Sequence, residues 1–223
     1  MSAVGATLKP RKSPVQARSA ATVEALHIAA VQVLTREGLS RCTTTRIAER
    51  AGMSVGSLYQ YYPNRDALLA AVLRRHLEGI AGAVERACSE HRGKPVSQMA
   101  PALVVALLAA KLRDPGESKA LYAVAEERGG AELVSRMHTR IVAAIAALLA
   151  SAPDARFDDP AMTSTIVFSA LMGPVRTLLE GHAPAGFETC LEGQLVVLLT
   201  AFLQTHRLGA GRPRRTGRDR QGT

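Results

Sequence analysis

Apolar residues recur along this chain at helical spacing, three or four positions apart, from about residue 22 to residue 204. No stretch keeps the strict two-residue alternation of a half-buried strand. Val23, Leu26, Ala30, Val33 and Leu34 predict a first helix over residues 22–37. Two short helices follow around a glycine. Ile47, Ala48 and Ala51 share a face of the first, Gly52 supplies the positive φ of a tight corner, and residues 55–61 make the second. Thr43 and Ser54 stand where an N-cap hydroxyl is needed. Pro63 stops the second short helix, and Asn64 opens a third with Asp66 near its positive end.

Leu73, Leu77, Ile80 and Val84 carry that third helix towards His91, and Gly93, Lys94 and Pro95 end it. Further helices are predicted over about 96–113, 119–128, 131–151, 160–180 and 187–204. The first of these is apolar nearly all round and so belongs at the centre of a bundle. Pro174 is expected to kink its helix. The fold class is therefore all-α, with about nine helices in all: a three-helix helix-turn-helix domain at 22–69 and a larger helical bundle at 70–206. Residues 1–21 read as a disordered basic arm and 207–223 as a disordered Arg-rich tail. The charges of the arm precede no apolar stretch, so it is not read as a signal peptide. No apolar run reaches the ~18 residues that suggest a membrane span, and no membrane partner is expected.

Chemistry concentrates in the two short helices. Small residues at the start of the second, with hydroxyls along its free face, suit a helix that enters a major groove. Gly56 admits close backbone approach, Val55 fits a thymine methyl, and Ser57 fits a base edge or phosphate. Tyr59, Tyr61 and Arg65 are placed to grip phosphates and fix register. Tyr62, four residues from Leu58, points inward. Charge agrees with this: residues 1–75 hold 11 Lys/Arg against 4 Asp/Glu, whereas 76–206 hold 11 against 14. Phosphate attraction is thus localised at one end. The basic arm suits either a neighbouring minor groove or a solubilising role.

These residues resemble the N-terminal DNA-binding domain of TetR-type transcriptional regulators. The resemblance rests on Gly38, Thr43, Ile47-Ala48, Ala51-Gly52-Met53-Ser54, Gly56-Ser57-Leu58-Tyr59, Tyr61-Tyr62, Arg65, Asp66 and Leu68. It covers roughly a quarter of the chain. It implies DNA contacts from Thr43 or Thr44, Thr45, Ser54, Val55, Ser57, Tyr59, Tyr61 and Arg65. Thr45 stands where many members carry arginine, which leaves the operator sequence unspecified. Arg65 in place of the usual lysine keeps the charge.

The resemblance further implies that the larger bundle is a regulatory and dimerisation domain. Leu191, Leu195, Leu198, Leu199 and Phe202 form one apolar stripe on the last helix, and Ser169 and Gly173 form a small-residue strip on the helix before it. Such stripes pack within one chain or against a second copy; in a TetR-like chain they imply a homodimer reading a palindromic operator in double-stranded DNA. An internal small-molecule pocket is also implied. Its candidates are Met99, Tyr122, Glu126, His138, Phe168, Met172 and Arg176, in an aliphatic rather than aromatic setting because aromatic residues make up only 4% of the chain.

No cofactor is expected, no metal site and no catalytic group. Cys42, Cys88 and Cys190 are scattered without a CxxC pair, which favours a reduced cytoplasmic setting. Cys190, His182 and Glu180 are the only group that suggests an enzyme, and they match no motif. The reading is a homodimeric repressor released by a small-molecule effector. Its alternative is a DNA-binding architectural or interaction protein controlled by a partner.

Overall fold

The computed structural model describes residues 14–127 and 129–206. Lys9, Arg11 and Lys12 of the basic arm and the whole Arg-rich tail lie outside the described residues. Nine α-helices and one short 3₁₀ turn account for the described secondary structure, with no strand among the described residues: α1 (Pro14–Glu37), α2 (Thr44–Arg50), α3 (Val55–Tyr59), α4 (Arg65–Glu90), α5 (Val96–Lys111), α6 (Pro115–Ala125), α7 (Gly130–Ala150), α8 (Pro160–Glu180) and α9 (Phe187–Gln204). The 3₁₀ turn, Leu39–Arg41, joins α1 to α2.

Two compact units emerge. One holds the described residues up to Arg75 together with Lys119–Ala131; the other holds His76–Ser118 and the described residues from Glu132 onward. The expected boundary after residue 69 thus falls inside α4, and a second segment joins the first unit. Residues 14–21 also depart from expectation, because α1 begins at Pro14 rather than near Thr22. Proline is at home in a first turn, and Gln16, Ala17, Arg18, Ala20 and Ala21 favour helix even without an apolar face.

In the first unit, Leu26, Ala30, Val33 and Leu34 of α1 are buried with Ile47 and Ala48 of α2 and Leu58 of α3. Arg50 Nε donates to Gln32 Oε1 at 2.7 Å, which ties α2 to α1 from outside. In the second unit, α5 packs on α8 and α9. Its Met99, Leu103 and Leu107, Phe168 and Leu171 of α8, and Leu191, Leu195, Leu199 and Leu203 of α9 are all buried. The first amide of α5 receives its cap from outside the helix: Val96 N donates to Asp154 Oδ1 at 3.0 Å, replacing the side-chain acceptor that Pro95 lacks.

α8 continues as one helix from Pro160 to Glu180 with Pro174 inside it. Thr177 Oγ1 donates back to Gly173 O at 3.1 Å beside the proline. By length and composition alone, α7 and α8 are apolar enough to cross a membrane, contrary to the count of uninterrupted apolar runs. That count stops at every polar residue, whereas a span tolerates one or two. Here Ile141, Ile145, Leu148 and Leu149 of α7 and Val167, Phe168, Leu171 and Val175 of α8 are buried inside the protein.

Candidate nucleic-acid interface

The two short helices are built as local chemistry demands. Thr43 Oγ1 accepts from Arg46 N at 3.3 Å and Ser54 Oγ accepts from Ser57 N at 3.1 Å, so each helix has its N-cap. Between them Gly52 adopts φ +70°, and Met53 N donates to Ala48 O at 3.0 Å to close the corner. Asn64 Oδ1 then accepts from Ala67 N at 2.8 Å and opens α4. Ile47, Ala48 and Leu58 have no exposed surface, which fixes how the pair turns its other side outward.

That outward side carries the predicted contact residues. Thr43, Thr45, Ser54, Gly56 and Tyr59 are exposed, while Thr44, Val55, Ser57, Tyr61 and Arg65 are half-buried. Tyr59 is 51% exposed, an unusual position for an aromatic ring that had a core to enter. Its hydroxyl lies 3.4 Å from Thr44 Oγ1, and Ser54 Oγ lies 2.9 Å from Ser57 Oγ. A Cβ added at Gly56 would meet nothing nearer than Ser54 Oγ at 3.7 Å. The chain's own packing therefore does not require glycine there, whereas close approach of an external backbone would. Tyr62 is turned the other way: its hydroxyl hydrogen-bonds His27 Nε2 at 2.7 Å, and burial raises the phenol's pKa and lowers that of the imidazole.

Arg65 is already engaged. Its Nε donates to Asp66 Oδ1 at 2.9 Å, and a terminal nitrogen lies 3.7 Å from Glu127 Oε1. Glu127 belongs to the segment that joins this unit from later in the chain, so no local motif announced it. Nearby, Arg46 pairs with Glu37, and Arg75 pairs with Glu24 through both terminal nitrogens. The Arg75 hydrogen bonds hold the Glu24 carboxyl below its usual range.

The residues proposed for a ligand fall in both units. Met99 and Phe168 are buried, and His138 stacks edge-on against Phe168 with ring centroids 5.4 Å apart. Met172 is half-buried; Arg176 is exposed and donates to Glu180 Oε1 at 2.6 Å. Tyr122, half-buried, and Glu126, exposed, belong to the first unit.

The candidate dimer stripe divides. Leu191, Leu195 and Leu199 are at most 3% exposed and are part of the chain's own core, which removes them from any surface a second subunit touches. Phe202 is half-buried, with its ring 5.7 Å from that of His206. Leu198 is half-exposed, and Ser169 and Gly173 are exposed. Met162 and Ile166 of α8 and Val197 of α9 are also apolar and exposed, and the sequence reading did not single them out. Among the described residues no group of three or more His, Cys, Asp or Glu is placed to hold a metal ion.

Residues 28–72 match the family pattern of bacterial regulatory proteins of the tetR family, and residues 95–203 match that of the tetracyclin repressor-like C-terminal domain. Together the two matches span more than half of the chain. A curated relative, the nucleoid occlusion factor SlmA of Actinobacillus pleuropneumoniae serotype 5b, is 26% identical over 116 residues, 52% of this chain and 54% of the relative. The chain thus spans about half the length of the curated relatives it matches. Among solved structures, a putative TetR-family transcriptional regulator from Mesorhizobium loti superposes with a TM-score of 0.68 at 18% identity, over 86% of this chain and 99% of that one. The transcriptional regulator FadR of Bacillus subtilis, solved in complex with stearoyl-CoA, gives 0.66 at 13% identity over 80% and 97%. At such identities these two likenesses concern the fold.

Proposed function

Because this chain belongs to the TetR family of DNA-binding transcriptional regulators, we propose that it acts as a homodimeric, cytoplasmic repressor that reads a palindromic operator and leaves it when a small-molecule effector binds. The observation that carries the reading is the free face of the capped helix pair. Gly56 has room it does not use, Ser57 and Val55 flank it, and Tyr59 stands in solvent. In the proposed complex Val55 and Ser57 read base edges, while Thr43, Thr44, Thr45, Ser54, Tyr59, Tyr61 and Arg65 hold phosphates. Two such faces about 34–36 Å apart would bind one side of the duplex, which is the reason for proposing a dimer.

The dimer surface is proposed on Leu198, Val197, Ile166 and Met162, with Ser169 and Gly173 allowing close helix approach. The effector is proposed to act on the larger unit, with α4, unbroken from Arg65 to Glu90, carrying its effect to the reading helices. FadR, solved with stearoyl-CoA, supports an effector with apolar character. The test is selection of genomic fragments by the purified protein near physiological salt, followed by challenge of the tightest fragment with cell metabolites. A short palindrome released by one compound is the expected result; salt-sensitive binding without sequence preference would overturn it.

A second reading is a DNA-binding architectural or interaction protein controlled by a partner and without a small-molecule effector; the likeness to SlmA, a nucleoid occlusion factor, favours it. It predicts specific DNA binding that no metabolite relieves.

A further inference from the structure

An open groove of about 360 Å³ runs between α4 and α5 in the second unit, and none of the residues expected to form the effector pocket lines it. Its floor is made of small apolar residues: Gly79, Ala83 and Ala87 from α4, and Ala106, Ala109 and Ala110 from α5. Ile80, 3% exposed, closes the bottom. From His76 to Glu90 the α4 wall spans fourteen rises of 1.5 Å, about 20 Å in length.

What fits is constrained by what the walls withhold. Helix backbones satisfy their own hydrogen bonds, so the floor of this groove offers no free donor or acceptor, and polar groups enter it only from His76, Arg86, Glu90 and Arg113. An extended peptide would bring an unsatisfied amide against that floor at every residue. A docked helix, about 10–12 Å across, would rest on the open side of the groove rather than within it. An alkyl chain needs neither hydrogen bonds nor width.

Polar groups at the rim set the head group. Both ring nitrogens of His76 are engaged, Nδ1 3.1 Å from Glu117 Oε1 and Nε2 3.4 Å from Ser118 Oγ, so His76 is committed within the fold. Arg86 and Arg113 form no ion pair among the described residues. Arg86 lies back over Gly82 and stands one turn from Glu90, whose carboxylate repels an anion. Arg113 stands just past the C-terminal end of α5, beyond Leu112, and the neighbouring Asp114 carboxylate is taken up in accepting from Glu117 N at 2.8 Å. The geometry points to a linear alkyl carboxylate, its chain along the Ala/Gly floor and its carboxylate paired with Arg113.

This assignment deepens the effector reading, but its test reads binding rather than release from DNA. Full-length protein is titrated calorimetrically with sodium dodecanoate below its micelle concentration and, in parallel, with dodecyltrimethylammonium, which has the same tail and opposite charge. Saturable binding of about one dodecanoate per chain is expected, with the cation at least about tenfold weaker. The double variant Ala83→Leu/Ala106→Leu, which fills the floor at half-exposed positions, and Arg113→Gln should each weaken dodecanoate about tenfold or more while keeping the helical circular dichroism of the parent. Absence of saturable binding overturns the assignment, as do equal affinity for the cation, undiminished affinity in a folded floor-filled variant, and occupation by an acidic peptide that excludes the fatty acid. Dodecanoate that binds as expected without altering operator affinity keeps the site and defeats the effector reading instead.

Discussion

The Tyr59 hydroxyl lies 3.4 Å from Thr44 Oγ1, joining the end of one short helix to the start of the other across a surface that is otherwise open to solvent. In free protein each hydroxyl is the other's partner; on DNA a phosphate oxygen can accept from both. Tyr59→Phe should therefore weaken binding to every sequence about 3- to 10-fold, the worth of one hydrogen bond of roughly 1 kcal/mol. With the ring half-exposed, the melting temperature should stay unchanged. Fluorescence anisotropy with specific and random duplexes separates the cases: loss of specificity without loss of random-sequence affinity would show that Tyr59 reads a base.

Arg65 must exchange partners to hold a phosphate, because Asp66 and Glu127 already share its guanidinium. A partly exposed pair of this kind is worth about 0–1 kcal/mol. Glu127→Gln should accordingly strengthen DNA binding about 2- to 5-fold, with the larger gain at low salt. Arg65→Ala should weaken binding and reduce the slope of log affinity against log salt by about one. If Glu127→Gln leaves affinity unchanged while Arg65→Ala lowers it, Glu127 does not compete for the arginine.

The capped helix pair was legible in the sequence because its determinants are local. The caps at Thr43, Ser54 and Asn64 act within three residues, and Gly52 turns the chain where it stands. Glu127 was invisible because it reaches Arg65 from sixty-two positions away, and Asp154 caps α5 from fifty-eight away without any motif. The Leu191, Leu195, Leu199 face was legible as a stripe but not as a destination, since a core and a dimer interface ask for the same residues. Ligand candidates chosen by residue type rest on a different signal from the proposed groove. Methionines, a histidine and a phenylalanine identify soft interior positions, whereas the α4–α5 groove is defined by what its alanines and glycine leave empty.

Lys111 is 4% exposed, and burial pushes its ammonium down to about 8 from an ordinary 10.5. Between those values the unfolded chain binds a proton that the folded chain has released, so stability rises with pH across the window. The contribution is complete above about 10.5 and is lost as pH falls through about 8. Lys111→Met should flatten the rise between pH 8 and 10, with an upper scale of about 3 kcal/mol. Ser118 Oγ donates to the Lys111 backbone carbonyl at 2.6 Å, a bond this substitution retains. Parallel pH slopes in parent and variant would place the ammonium in water.

Val197 is 64% exposed and Leu198 50%, whereas Leu195, on the same helix, is 2% exposed. Carboxylates introduced at these positions meet different fates. Leu195→Glu buries a charge against α9's own packing and should unfold or strongly destabilise the chain, by several kcal/mol. Val197→Glu/Leu198→Glu places two charges on a face that costs little in a monomer but faces its own copy across a two-fold axis, where like charges meet. Sedimentation velocity should find this double variant monomeric at micromolar concentration with undiminished helical content. Its operator affinity should fall towards that of a single half-site, while each reading helix keeps its base preference. A folded double variant that still sediments as a dimer would exclude this face of α9 from the interface and direct the search to Met162 and Ile166 of α8.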